Sequence, residues 1–123
     1  MGRLSYDISF KAKVEGVDAY VDVACDANIT WNLREMIVKS TGLEWKNEEN
    51  NGLVKDIMPH IYDGLKELNV YPEKYKQYEA ENGWGTIEGC KGFFKRIIEA
   101  WEDLCDDYWG NKELKDVVTF WIE

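Results

Sequence analysis

A chain of 123 residues, 45% hydrophobic and 14% aromatic, has the size of a single globular domain burying roughly two-thirds of its unfolded surface, which excludes the disordered class. Its 24 acidic and 15 basic residues leave a net charge of −9; that disfavours a nucleic-acid backbone as partner, since phosphates need cations, and favours attraction to basic protein surfaces. No run approaches the ~18 apolar residues of a membrane span, MGRLSYDISF is too short and polar for a signal peptide, and three Cys, none in Cys-x-x-Cys spacing, suit apolar thiols in a reduced, cytoplasmic setting.

The first expected element is a half-buried strand in LSYDISFKA. Leu4, Tyr6, Ile8 and Phe10 alternate with Ser5, Asp7, Ser9 and Lys11, the period-two signature. Glu15-Gly16 reads as a turn and Val17 to Ala24 as a second strand, together a hairpin. In CDANITWNLREMIVKSTG, Asn28, Thr30 and Asn32 are candidate helix N-caps, and Asn32 with Glu35 resembles a capping box. Leu33, Met36, Ile37 and Ser40 then share a helical face, and Gly42 suits a C-terminal stop. LEWKNEENNG is polar and ends in Asn-Gly, so a loop is expected.

Leu53, Ile57, Ile61, Leu65 and Leu68 repeat at helical spacing, but Pro59 interrupts them. Proline is tolerated at a first helical position, so a turn followed by a helix from Pro59 to about Asn69 is expected. Pro72 opens a short helical segment carrying Tyr75 and Tyr78. The longest amphipathic run is Ile87 to Tyr108, with Thr86 as its N-cap and Gly110 as its end. KDVVTFWIE, β-branched and aromatic, reads as a closing strand. Two strands need a third to make a stable sheet. The predicted fold is therefore one α+β domain over residues 1–123: a three-stranded, mainly antiparallel sheet, made of the N-terminal hairpin and the C-terminal strand, with three to four helices on one face.

NGWGT, Asn82 to Thr86, places an indole between two glycines that permit positive φ or close backbone approach. In one reading Trp84 plugs the core; in the other, the loop forms a rim beside a helix start whose free amides attract a carboxylate or phosphate. NITWN has the same character. If both helix starts lie at one end of the sheet, Asn28, Thr30, Trp31, Asn32, Asn82, Trp84 and Thr86 would converge on a pocket of amides, hydroxyls and stacking faces. The bland alternative is two capping sequences and nothing more.

These two stretches, with PEKY between them, carry a resemblance. The chain is similar to small uncharacterised proteins of tailed phages and prophages, in which Asn-Ile/Leu-Thr-x-Asn follows a short hairpin, and Pro-x-x-Tyr then Asn-Gly-Trp-Gly precede a long helix and a final strand. Order and rough spacing agree over most of the chain. In that set the x of the first stretch is often His; here it is Trp31, which argues against proton transfer or metal binding there. The resemblance implies a phage or prophage setting, not a mechanism.

The single histidine, His60, lacks the neighbours of a metal site, and neither a phosphate loop nor a nucleophile elbow is present. No cofactor is expected. WEDLCDDYW sets Glu102, Asp103, Asp106 and Asp107 on one helical face, either a solvated face or a decoy for a basic protein groove. Six Trp exceed the needs of one small core, so one or two are expected at a surface. The leading functional expectation is a non-enzymatic binder in the bacterial host cytoplasm. It would be a counter-defence inhibitor of an immune protein with a basic surface, acting through acidic and aromatic groups that include Tyr75, Asp106 and Asp107. The alternatives are sequestration of a nucleotide-like signal between residues 28–32 and 82–86, a small nucleotide hydrolase using Asp26, Glu81 and Glu88 as acid–base groups, or a structural phage protein.

Overall fold

The computed structural model describes residues 5–13, 16, 19–46, 49–80, 83, 85–107 and 117–123; for residues 24–26, 106 and 107 it describes the backbone only. Strand β1 (Ser5–Lys13) pairs antiparallel with β2 (Tyr20–Thr30). After β2 come a 3-10 turn (Trp31–Leu33) and helix α1 (Arg34–Thr41). Then follow β3 (Glu49–Leu53), α2 (Val54–Val70), two 3-10 turns (Pro72–Lys74 and Lys76–Tyr78), α3 (Ile87–Asp107) and β4 (Thr119–Ile122). The strand order is β2-β1-β4-β3 and every pairing is antiparallel.

The α+β class and the terminal strand beside the first hairpin are as expected. Among the described residues the sheet has four strands, where three were expected. The extra strand lies in the expected loop: Glu49 pairs with Ile122 and Asn50 with Trp121. ENNGL is poor in β-formers, and side-chain bonds hold it in place. The Asn51 amide donates to the Lys46 carbonyl at 2.8 Å and accepts from the Lys46 N–H at 3.0 Å, while Asn50 Oδ1 accepts from the Gly52 N–H at 2.8 Å.

β2 runs six residues past the expected Ala24. Asn28 and Thr30 are strand residues, not caps: Asn28 pairs with Asp7 and Thr30 with Ser5. Ala27 and Ile29, on either side of Asn28, are buried, so polar residues at every second position mark the outer face of a strand. β2 carries extra residues opposite Ile8–Phe10 and Phe10–Lys11, bulges that shift the alternation partway along it. Neither Thr30 nor Leu33 makes a side-chain cap bond, and the Asn32–Glu35 capping box does not form because α1 starts later, at Arg34. Gly42, at φ 74°, closes α1 as expected. α2 starts at Val54 and carries Pro59 inside it. That proline removes one bond near the helix start, at an exposed position, while the apolar face on both sides of it keeps the helix on the core.

Helices α1, α2 and α3 pack on one sheet face. Tyr6, Ile8, Phe10, Ala12, Phe120 and Ile122 meet Met36 and Ile37 of α1, Ile57, Ile61 and Leu68 of α2, and Phe94 and Ile97 of α3 in one core. Gly64 of α2 lets the helices approach: a Cβ there would lie 2.6 Å from Thr41 Cγ2 and 3.0 Å from Phe94 Cε2. The other sheet face is polar and aromatic. Lys11 pairs with Glu123, its ammonium sits 5.0 Å above the Trp121 ring, and Tyr20 meets Trp121 edge-on at 5.2 Å.

Candidate functional site

The two polar turns meet. Ile29, Thr30 and Leu33, from the end of β2 and the 3-10 turn, face Gly83, Gly85, Thr86 and Gly89 across a cleft of about 360 Å³. The glycines have separate reasons. Gly83 has φ 78°, which costs a side-chain-bearing residue strain. Gly85 is buried, and a Cβ on it would stand 3.1 Å from Leu33 Cδ2 and 3.4 Å from Asn32 Cβ. The loop closes on itself through Ala80 N–H to Gly85 O at 2.9 Å and Gly83 N–H to Ala80 O at 3.1 Å. Asn82 and Trp84 lie outside the described residues, as does Glu81.

The start of α3 has groups of its own chain where the anion-binding reading of NGWGT placed free amides. Thr86 is its cap, with Oγ1 accepting from the Gly89 N–H at 3.0 Å. The Ile87 N–H donates to Glu79 Oε2 at 2.9 Å. The chain's own carboxylate thus occupies the place a ligand's carboxylate or phosphate would take. Glu79 had no local sequence signal, because it reaches the helix from eight residues upstream.

The other expected site residues divide. Of the expected polar groups, Thr30 and Thr86 line the cleft. Asn28 is exposed on the outer sheet face, where its amide donates to Asp7 Oδ1 at 2.7 Å and Ser5 Oγ at 3.1 Å. Trp31 and Asn32 instead line a groove along α1. Trp31 is 49% exposed. Trp45 is buried, Trp101 and Trp121 are half-buried, and Trp109 lies outside the described residues. Tyr75 is buried and donates to Glu67 Oε1 at 2.7 Å. Burial, then the Glu67 bond, pushes its phenol up to about 12, and the same bond, helped by Lys74, holds Glu67 below the usual carboxylate range. Tyr75 is therefore a neutral strut between α2 and the 3-10 turns, not a surface group. Asp106 and Asp107 are backbone-described only, in the last turn of α3.

A residue missed in the sequence stands beside that last turn. Tyr62 of α2 is 42% exposed and donates from its phenol to Glu102 Oε1 at 3.4 Å. Its pKa is raised by burial and then by the Glu102 charge, so the surroundings are negative. Glu99 and Asp103 are exposed on the same helix, which has no basic residue in its last turn. A signal existed, since Tyr62 lies off the apolar stripe of α2, but only the α2–α3 packing sets it against Glu102.

Among the described residues no three His, Cys, Asp or Glu side chains gather as a metal site. His60 Nδ1 lies 3.0 Å from the Thr41 carbonyl, tying α2 to the end of α1. Cys90 is buried, and burial alone pushes its thiol up to about 12, so it is an unreactive core group at neutral pH. Glu88 pairs with Lys91 at 3.1 Å, and the Asp26 side chain lies outside the described set. No helix is long and apolar enough to cross a membrane among the described residues. Comparison with protein-family models, with curated proteins and with solved structures gave no match.

Proposed function

We propose that this protein is a non-enzymatic binder that docks its acidic and aromatic α2–α3 face onto a basic protein surface. The phage or prophage setting implied by NITWN, PEKY and NGWGT makes the partner a bacterial immune protein and the outcome counter-defence inhibition. The observation that carries the reading is the exposed Tyr62 phenol bonded to Glu102, flanked by carboxylates at the end of α3. Backbone carbonyls already make that helix end negative, so carboxylates there cost stability where Lys or Arg would add it. A basic partner relieves the repulsion, and tyrosine supplies contact area with a polar tip. Against an anion held at the start of α3 stands the Glu79 carboxylate already there.

The test is capture from a host lysate by the intact protein and by a Tyr62→Ala/Glu102→Lys/Asp103→Lys variant, read by mass spectrometry. The expected result is a basic protein retained at low salt, released as salt rises, and lost with the variant. Equal capture by both forms, or a partner with an acidic surface, would overturn the reading.

A further inference from the structure

The second groove has the opposite electrostatic character. Trp31, Asn32, Arg34, Glu35, Val38 and Lys39 line a volume of about 450 Å³ along the outer flank of α1 and its preceding 3-10 turn, within the range of small-ligand sites. In a chain of net charge −9, two cations share a groove with an exposed indole. Neither Arg34 nor Lys39 belongs to an ion pair among the described residues. Arg34 makes one long bond, 3.5 Å, to the Trp45 carbonyl, which leaves most of its five N–H donors available.

Trp31, Glu35, Val38 and Lys39 recur at spacings of three and four, so they share one helix flank. Trp31 and Lys39 are about 13 Å apart along it, at about 2.0 Å per residue through the 3-10 turn and about 1.5 Å in α1. The groove thus offers a stacking plane at one end, an apolar strip at Val38, and cations at Arg34 and Lys39.

We infer that this groove binds a nucleoside monophosphate: the base stacks on Trp31, the phosphate meets Lys39 and Arg34, and Asn32 and Glu35 bond polar edges of base and ribose. Stacking on an exposed aromatic is tolerant of base identity. The guanidinium and ammonium supply charge-assisted bonds to phosphate oxygens. Glu35 lines the same groove, and its carboxylate repels the more highly charged triphosphate more than the monophosphate. A phosphotyrosine ring would leave Asn32 and Glu35 without partners, which favours the nucleoside. The site is separate from the α2–α3 acidic face, and the two readings fail independently.

The experiment is titration of the nitrogen-15-labelled protein with AMP, adenosine, inorganic phosphate, ATP and phosphotyrosine, following the Trp31 indole N–H resonance, assigned by its loss in Trp31→Phe. AMP is expected to shift that resonance saturably. Adenosine and ATP bind several-fold more weakly than AMP, and phosphate alone leaves the indole unmoved. Trp31→Ala weakens AMP about tenfold or more, a loss of about 1.4 kcal/mol, read from the remaining α1 amides. Lys39→Gln weakens AMP without weakening adenosine. All these side chains are partly or fully solvent-exposed, and the variant spectra check that the fold is retained. No shift with millimolar AMP, an equal shift with phosphate alone, unchanged affinity in Trp31→Ala, or tighter binding of phosphotyrosine would overturn the inference.

Discussion

The two ends of α3 obey opposite rules. At its start, Thr86 and Glu79 satisfy backbone N–H groups and set a negative charge against the positive end of the helix dipole. Toward its end stand Glu102 and Asp103 and then, in the last turn, Asp106 and Asp107 at the negative pole, with no cation there. The first end is built for stability. The second sacrifices some of it, and a surface that does so consistently is where a partner is to be sought. The acidic end is not explained by the overall charge alone, since the same helix carries Lys91, Lys95 and Arg96 nearer its start.

The largest test of the stable end is Gly85→Val. Its side chain would collide with Leu33, and a loss of about 3 kcal/mol is expected by urea unfolding, at the upper end for overpacking. Glu79→Ala removes a charge-assisted bond and is expected to cost about 2 kcal/mol, with the Ile87 amide exchanging faster. Thr86→Ala removes the cap and is expected to cost about 1 kcal/mol. At the acidic end the sign reverses. Asp103→Lys is expected to stabilise by about 0.5 kcal/mol at low salt, fading as salt screens it, while weakening capture of a basic partner. A loss of stability in that variant would break the contrast between the two ends.

The smallest effect is a titration. Tyr62 has a raised pKa, so the folded state favours the neutral phenol. Any stability it contributes is whole below the ordinary tyrosine pKa and is lost as pH rises through the raised one. Glu102→Gln is expected to move the Tyr62 pKa back part of the way, leaving the share due to burial; a ring-resonance titration measures this. An unmoved pKa would mean that the Glu102 charge does not reach the phenol.

Patterns with a short period were legible. The alternation of Tyr6, Ile8 and Phe10, the long stripe of α3, the Gly42 stop and the Thr86 cap each depend on residues a few positions apart. Residue type competes with alternation: Asn28 and Thr30 are cap formers by type, although the apolar Ala27 and Ile29 alternating with them carry a strand's phase. Pro59 reads as a breaker on local cost alone, whereas the buried faces before and after it outweigh one missing bond. β3 had no legible signal, since Glu49, Asn50 and Leu53 pair with β4 only because that strand presents a free edge.

The composition and periodicity of the chain alone determined an α+β domain with a terminal strand, a long amphipathic α3 and an acidic character, because these rest on nearest neighbours along a strand or helix and on summed charge. Tertiary structure alone decided that Glu79 closes the start of α3, that Tyr62 meets Glu102, and that NITWN and the glycine loop share a cleft while Trp31 turns to another. Each of those depends on which distant segments packing brings within a few ångströms, and no spacing along the chain records that distance.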